Sequence, residues 1–182
     1  RDQTYHRAME SGALVLHHKI NLGKSCAMKT GCEAAIILNA DLIALMDSDG
    51  QHKPSDLPRF FKEMELKRAD IVIGARSQEK KSPLVRFYGN KLLALLVVAL
   101  FGVRIKDIQS GFRVFRSEVF QGLNWVSNNY HADAEMTVRI GKKRLDYSEI
   151  SIESIYIDKH KGMTPIDGIA LALNIIKWKF TL

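Results

Sequence analysis

This sequence has few cysteines and no long apolar run, and each shortage excludes a class of protein. Only Cys26 and Cys32 occur among 182 residues, and both fall inside one predicted helix. Two cysteines are too few for a disulfide scaffold, so we expect the chain to work in a reducing compartment. The longest apolar run, residues 92–103, has twelve residues including one glycine. That run is too short to cross a bilayer, and it fits a buried or interfacial helix.

Internal repeats, low-complexity segments and nucleic-acid motifs are also missing, whereas positive charge is abundant. Lysine and arginine number 27 against 20 acidic residues, which gives a formal net charge of +7. A basic surface favours a polyanionic partner, such as a phosphorylated substrate, an anionic lipid or a nucleic acid. Because the sequence has neither zinc-finger spacing nor a basic stripe interleaved with aromatic residues, we expect no nucleic-acid partner. Its length and 46% apolar content are those of one globular domain with a real core.

The most informative stretch is an apolar run that ends in two acids. Residues 42–46 are apolar, and Asp47 and Asp49 follow with one serine between them. A short apolar run closed by a turn predicts a buried strand, and open α/β sheets bind their ligands at the carboxyl ends of strands. Two neighbouring carboxylates favour a hard cation such as Mg²⁺ or Mn²⁺. The alternative is a solvated turn. An EF-hand does not fit, because Pro58 takes the place of the glutamate at the loop's twelfth position.

Apolar runs and helical patterns alternate along the chain. The predicted helices cover about 21–38, 83–101, 133–143 and 166–180, with shorter ones after residue 3 and near residues 55 and 117. The predicted strands cover 13–16, 42–46, 70–74, 145–149 and 151–157, with an aromatic strand around residue 114. Such alternation predicts a mostly parallel sheet with helices on both faces.

The last predicted helix has an apolar stripe and a basic end. Ile169, Leu173, Ile176 and Phe180 recur at helical spacing, and a Lys-Trp-Lys cluster at 177–179 follows them. Lysine and tryptophan beside an apolar face are typical of a membrane interface. The alternative is a core helix with a solvated end.

Several other charged residues allow both a functional and a structural interpretation. Arg76 and Arg86 flank a polar loop, and arginine suits phosphate recognition, although surface arginine is the alternative. Lys24 lies in the first turn of a helix, which hints at a nearby anion or at a solvated surface. Asp133 and Glu135 open another helix, where they can be plain caps or catalytic acids.

Taken together, the motifs resemble glycosyltransferase family 2, which has the GT-A fold, and within it the polyprenyl-phosphate sugar transferases. The resemblance covers essentially the whole chain and rests on three stretches in order. Asn21-Leu22-Gly23-Lys24 resembles the family's Asn-x-Gly-Lys helix start. Asp47-Ser48-Asp49-Gly50-Gln51-His52 resembles its Asp-x-Asp motif, and Asp107 with Ser110-Gly111-Phe112-Arg113 resembles Asp-x-x-Ser-Gly-Phe-Arg.

The resemblance implies roles for individual residues. The metal, Mg²⁺ or Mn²⁺, would be held by Asp47, Asp49 and Gln51, and Lys24 would join the two aspartates at the donor diphosphate. The implied contacts of the acceptor phosphate are Arg76, Arg86, Asn90, Lys159 and Thr164. Lys159 stands where the family often has arginine, which leaves a point charge without the bidentate fork. The acids that could assist the nucleophile are Asp107, Asp133 and Glu135.

The resemblance also implies an architecture and an activity. We expect a GT-A-like, Rossmann-like α/β fold that is N-terminally truncated. Residues 1–165 would form a catalytic domain that lacks its first strands and part of its donor pocket, and 166–182 would form an amphipathic, membrane-interfacial helix. The implied reaction is metal-dependent, inverting transfer of a sugar from a nucleotide-sugar donor to a polyprenyl phosphate at the cytoplasmic face of a membrane. The alternatives are transfer to a saccharide hydroxyl and a non-catalytic module at the membrane surface.

Overall fold

A mixed four-stranded sheet organises the computed structural model, which describes residues 3–76, 84–128, 131–153 and 164–182. Its strands are β1 Leu42–Leu45, β2 Ile71–Arg76, β3 Arg113–Arg116 and β4 Tyr147–Ile152, in the order β1-β3-β2-β4. β3 pairs antiparallel with both β1 and β2, whereas β4 pairs parallel with β2. Three strands therefore point the same way, and β3 runs against them.

The helices alternate with these strands as the sequence predicts. They are α1 Thr4–Glu10, α2 Gly23–Ile37, α3 Leu57–Lys67, α4 Leu84–Phe101, α5 Phe120–Leu123, α6 His131–Lys143 and α7 Pro165–Thr181. Two single 3₁₀ turns, Pro54–Asp56 and Ser117–Val119, lead into α3 and α5. Within the described ranges, no helix is both long enough and apolar enough to span a membrane.

Two apolar clusters cover the two faces of the sheet. Side chains alternate along a strand, so Ile71 and Ile73 of β2 join the larger cluster and Val72 joins the smaller one. The smaller cluster includes Phe60 and Met64 of α3, which are four residues apart and lie on one helix face. The larger cluster is completed by residues of α4, α5, α6 and α7. Helices on both faces are therefore confirmed, as is the α/β class.

The predicted strand at 13–16 is wrong. This segment has no regular structure, and Leu14 and Leu16 are 83% and 55% exposed. A β-strand needs a neighbour to pair its backbone N–H and C=O groups, and an apolar run does not supply one. Among the described residues, β1 is the edge of the sheet on that side, and it pairs only with β3.

The strand β1 lies at the edge of the sheet and is less buried than the sequence predicts. Ile43 and Leu45 are buried, but Leu42 is 36% exposed and Ala44 is exposed as well. The predicted strands at 145–149 and 151–157 are a single strand, β4, as far as residue 152. Residues 154–163 lie outside the described part of the chain.

The Lys-Trp-Lys end of α7 differs from the interfacial cluster that the sequence predicts. Trp178 is only 6% exposed and belongs to the larger core, together with Leu171 and Ile175 of the same helix. The ammonium of Lys179 donates a 2.6 Å hydrogen bond to the carbonyl of Leu100. The indole is buried because it faces α4 and α6, whereas the apolar stripe of the prediction lies on the opposite, exposed side of α7.

Candidate functional site

Three segments that are distant in sequence meet at the carboxyl end of β1. Asp47 follows that strand, α2 contributes Lys24, and the loop before β3 contributes Gly111. The ammonium Nζ of Lys24 lies 2.6 Å from Oδ1 of Asp47. A Cβ atom on Gly111 would lie 2.9 Å from Oδ2 of Asp47 and 3.2 Å from Nζ of Lys24. A residue with a Cβ atom at this position would force the ion pair to shift.

The loop that carries the two acids is closed by His52. The amide of Asp47 donates to Nδ1 of His52 over 3.1 Å, and the amide of Gln51 donates to Oδ1 of Asp49 over 3.2 Å. The His52 ring is buried and stacks on Phe112 with 5.1 Å between ring centroids. Burial lowers the pKa of His52, which favours the neutral imidazole that this acceptor role requires. The acid motif and the Ser-Gly-Phe-Arg stretch are thereby locked together.

A fully buried guanidinium fastens the loop before β3 to α6. Arg113 donates from Nε to the carbonyl of Ser110 over 2.8 Å. Its Nη2 donates to the carbonyl of Ile108 over 3.1 Å and to the hydroxyl of Thr137 over 3.0 Å. Carbonyl acceptors fixed in this way hold the loop in one conformation. Arg113 therefore sets the place of Gly111 against Asp47.

Asp133, in the first turn of α6, is the buried acid beside this cluster. Its side chain is 3% exposed, and Oδ2 lies 3.7 Å from Nζ of Lys24. Oδ1 is buried and has no hydrogen-bond partner among the described residues. Burial raises the pKa of Asp133, and the nearby charges of Arg113 and Lys24 oppose that rise. The site thus contains a carboxylate with unused acceptor capacity.

Two of the predicted site residues, Arg76 and Asp107, pair with each other. Arg76 ends β2 and donates from Nε and Nη2 to the two carboxylate oxygens of Asp107, over 2.5 and 2.9 Å. Asp107 also accepts the amide of Gln109 over 3.3 Å. A bidentate pair holds both groups in a fixed orientation. The acceptor-side arginine and a predicted catalytic acid therefore form one unit at the carboxyl end of β2.

Two further predicted site residues, Glu135 and Thr164, make contacts of other kinds. Glu135 is fully buried, and its carboxylate accepts the amides of Val126 and Ser127 and an ion pair from Arg139. These contacts give Glu135 a structural role at that loop. Thr164 caps α7, with its hydroxyl and amide both bonded to the Asp167 carboxylate.

Three predicted phosphate contacts are not brought to the site by any described contact. Asn90 is half-buried on α4. Arg86 lies on the same helix, but its side chain is outside the described part of the structure, as is the whole of Lys159.

The donor set at the end of β1 fits a hard divalent cation that is shared with a substrate. Asp47 and the exposed Asp49 supply carboxylate oxygens, and the half-buried Gln51 supplies an amide oxygen. No group of three His, Cys, Asp or Glu side chains that could bind a metal occurs within the described ranges. Mg²⁺ needs only one or two carboxylates when substrate phosphates and water complete its shell. Because Gly111 has no Cβ atom, no side chain stands between its backbone and Oδ2 of Asp47.

An open groove of about 360 Å³ leads to this site. It runs between α2 and the outer edge of β1, with Met28, Cys32 and Ala35 on its helical wall, and it ends at Asp47 and Gly111. An apolar groove that ends in charged groups suits a ligand with an apolar or planar part and a polar end.

His52 and Arg113 have no predicted role. Each is the last residue of a motif that resembles the family's, so motif membership was the available signal. Neither their burial nor their partners could be read from spacing, because both contact residues of other segments.

Comparisons with known proteins place this geometry in context. The sequence profile described as Glycosyl transferase family 2 matches residues 3–123. A UDP-N-acetylglucosamine–dolichyl-phosphate N-acetylglucosaminyltransferase of Methanococcus voltae is 28% identical over 80% of this chain and 60% of its own. A dolichyl-phosphate beta-glucosyltransferase of Trichomonas vaginalis is 30% identical over 97% of this chain, and an undecaprenyl-phosphate mannosyltransferase of Micrococcus luteus is 24% identical over 94%. The matched share is 58% of the first of these two relatives and 74% of the second.

The solved structures agree on the fold. Glucosyl-3-phosphoglycerate synthase of Mycobacterium tuberculosis, crystallised with Mn²⁺, UDP-glucose and phosphoglyceric acid, superposes with a TM-score of 0.66. The match covers 99% of this chain and 64% of that structure, at 18% identity. At that identity the likeness shows the fold alone. The chain thus spans less than two thirds of the structures it matches.

Proposed function

Because this chain belongs to glycosyl transferase family 2, we propose that it carries the centre of an enzyme that moves a sugar from a nucleotide-sugar donor to a polyprenyl phosphate. The transfer would invert the configuration at the anomeric carbon. Its similarity to dolichyl-phosphate and undecaprenyl-phosphate sugar transferases supports this acceptor class.

One observation carries the proposal: the convergence of Asp47, Lys24 and Gly111 at the end of β1. Each comes from a different motif. Nζ of Lys24 lies 2.6 Å from Oδ1 of Asp47, and a Cβ atom on Gly111 would lie 2.9 Å from Oδ2 of Asp47. A carboxylate that is followed two residues later by another, an ammonium and a bare backbone together match a diphosphate bound with a divalent cation. Such a set has no evident use in a plain surface turn.

The roles of the donor-side residues follow from their chemistry. Asp47, Asp49 and Gln51 would hold Mg²⁺ or Mn²⁺, which when bound supplies Lewis-acid stabilisation of the departing diphosphate. Lys24 adds a further positive charge where negative charge develops. His52 and Arg113 act through others: they keep Asp47 and Gly111 in place, and they are positioning residues.

The acceptor side favours a phosphate over a hydroxyl. A lipid phosphate is already an anion near neutral pH, so it needs positioning rather than deprotonation. Arg76, oriented by its bidentate pair with Asp107, lies at the carboxyl end of β2, and Arg86, Asn90, Lys159 and Thr164 remain predicted contacts. A saccharide hydroxyl would need a general base, and Asp107 or Asp133 would have to supply it.

We further propose that α4 and α7 form a face that lies on a membrane. The two helices pack against each other, and their C-terminal ends meet where Lys179 contacts Leu100. Both present exposed apolar side chains at helical spacing. On α7 these are Ile166, Ile169, Leu173, Ile176 and Phe180, and on α4 they are Tyr88, Leu92 and Leu95. Their exposed fractions run from 44% to 84%, and a lipid surface is a partner that would cover them. Together with the reducing compartment inferred above, we propose the cytoplasmic face of a membrane as the place where the protein works.

The experiment that tests the donor site is calorimetric titration with UDP- and GDP-sugars, with and without Mn²⁺. Asp49→Ala removes one proposed metal ligand, and Glu65→Ala removes another exposed carboxylate, from α3, as a control. We expect binding heat that needs both Mn²⁺ and Asp49 and that survives the control substitution. Metal-independent binding, or equal loss in both variants, would remove the basis of the proposal.

Transfer assays separate the acceptor classes. With Mn²⁺ and the nucleotide sugar that binds, Asp133→Asn should cost little with a polyprenyl phosphate acceptor, which needs no base. Transfer to a saccharide hydroxyl but not to the polyprenyl phosphate, with a loss of several orders of magnitude in Asp133→Asn, would instead favour a hydroxyl acceptor. A protein that binds vesicles but no nucleotide would be the non-catalytic membrane module.

A further inference from the structure

We propose that Lys24 is an internal counter-ion that competes with the divalent cation for Asp47, so that the metal binds well only together with the donor diphosphate. This inference rests on the proposed function and adds an order of binding to it. It assigns Lys24 a role beyond contact with the donor, because its first partner is the protein's own metal-binding acid.

The geometry around Asp47 leaves little of its carboxylate unclaimed. Oδ1 forms a 2.6 Å ion pair with Nζ of Lys24, and Oδ2 faces the backbone of Gly111, where even a methyl group would collide. Both side chains are about one-third exposed, at 37% for Lys24 and 33% for Asp47. A metal ion that needs Asp47 must therefore displace the ammonium or share an oxygen with it.

Displaced from Asp47, the ammonium still has a neighbour. Oδ2 of Asp133 already lies 3.7 Å from Nζ, and Oδ1 of Asp133 has no hydrogen-bond partner in the described structure. Asp133 is held in place by α6 and is almost fully buried. The flexible lysine can turn between the two carboxylates without moving α2.

A diphosphate changes the balance between the two cations. When the metal arrives alone, the ion pair of Lys24 with Asp47 is lost and only Asp133 is left to receive the ammonium. When it arrives with a diphosphate, the phosphate oxygens offer the ammonium a new anionic partner next to the metal. The lysine therefore opposes the metal in the nucleotide-free site and assists it in the nucleotide-bound site.

The test measures Mn²⁺ binding directly, by the electron paramagnetic resonance signal of free Mn²⁺, with no nucleotide and no turnover. Lys24→Met removes the charge and keeps much of the length, whereas Lys24→Arg keeps the charge. Lys29→Met is the matched control, because Lys29 lies on the same helix and its ammonium donates a hydrogen bond to the carbonyl of Trp125. We expect Lys24→Met to bind Mn²⁺ about threefold to fivefold more tightly than the parent protein, as removal of a partly exposed competing charge implies. The two other variants should stay within about twofold.

A repeat of the titration with UDP present gives a second readout. In the parent protein UDP should tighten Mn²⁺ binding, and in Lys24→Met that gain should shrink, because the ammonium no longer assists the diphosphate. A purely structural role for Lys24 would weaken both titrations together.

The inference is overturned if Lys24→Met binds Mn²⁺ no more tightly than the parent, or if Lys29→Met tightens binding equally. Circular dichroism checks the fold, and Lys24→Gln replaces Lys24→Met if the latter is unfolded. Absence of Mn²⁺ binding by the parent protein even with UDP or GDP would overturn the proposed function as well. UDP-dependent Mn²⁺ binding without tightening in Lys24→Met would overturn this inference alone.

Discussion

The exposed stripe of α7 allows a quantitative test of membrane docking. The perturbation is the double substitution Ile169→Gln and Leu173→Gln, which replaces two apolar side chains that are 65% and 63% exposed. Glutamine is a good helix former, so α7 should persist. Both side chains point away from the core, so we expect the free energy of unfolding to change by less than about 0.5 kcal/mol.

The expected loss of membrane affinity follows from the exposed area. Full burial of an aliphatic side chain is worth about 1.5–3 kcal/mol, so the exposed two thirds of each residue can contribute about 1–2 kcal/mol on entering the interface. Two substitutions then remove about 2–4 kcal/mol. This is a fall of about thirtyfold or more in the vesicle partition coefficient.

Cosedimentation with vesicles that contain anionic lipid measures that coefficient. The matched control is Ile37→Gln with Leu66→Gln, two residues that are 79% and 70% exposed but lie on α2 and α3. The control should bind vesicles as the parent protein does. If both double variants lose affinity equally, binding is non-specific. If neither loses affinity, the face formed by α4 and α7 is not the docking surface.

Three further predictions concern the site and the core. Gly111→Ala should lower the Mn²⁺-dependent affinity for UDP about tenfold or more, because the new methyl group collides with the ion pair beside it. Gly122→Ala is the control, because its methyl group would meet only an ordinary 3.6 Å contact with Lys143. It should leave the calorimetric titrations unchanged. Burial raises the pKa of Asp133 above its ordinary 3.8. The free energy of unfolding of the parent protein should therefore fall as pH rises from about 3.8 through the raised pKa. Asp133→Asn should abolish this fall and raise the Tm at pH 7, and a lower Tm for the variant at pH 7 would contradict this expectation. Burial also raises the pKa of the Cys32 thiol to about 12. Iodoacetamide at pH 8 should therefore alkylate the partly exposed Cys26 and spare Cys32 until the protein is unfolded, as mass spectrometry of the modified peptides would show. Rapid labelling of Cys32 would show that α2 does not pack on the sheet as described.

Local patterns in the sequence were sufficient for most elements. The i, i+3, i+4 and i+7 spacing in α3 predicted a helix, and the structure buries Phe60 and Met64 from that pattern. Residues 42–45 formed the predicted strand, with the acid pair at its carboxyl end. These predictions hold because helix periodicity, strand length and chain reversal depend on neighbours within a few residues.

Patterns failed where a residue's environment comes from distant parts of the chain. The apolar residues at 13–16 fit a strand, but a strand exists only with a partner, and none of the described residues pairs with them. The antiparallel insertion of β3 between β1 and β2 also follows from no local signal, because strand order is decided by which pairings bury the most surface.

The site shows the same division. The sequence alone identified the candidate groups. The acids at 47 and 49 and the lysine at 24 lie in motifs, and the arginine at 76 was singled out by its place beside a polar loop and by the family resemblance. Only the tertiary structure decided how these groups are paired. It set Lys24 against Asp47, Arg76 against Asp107 and Glu135 against a backbone loop. Ion pairs between segments depend on distances of 3–4 Å, and spacing along the chain does not determine such distances.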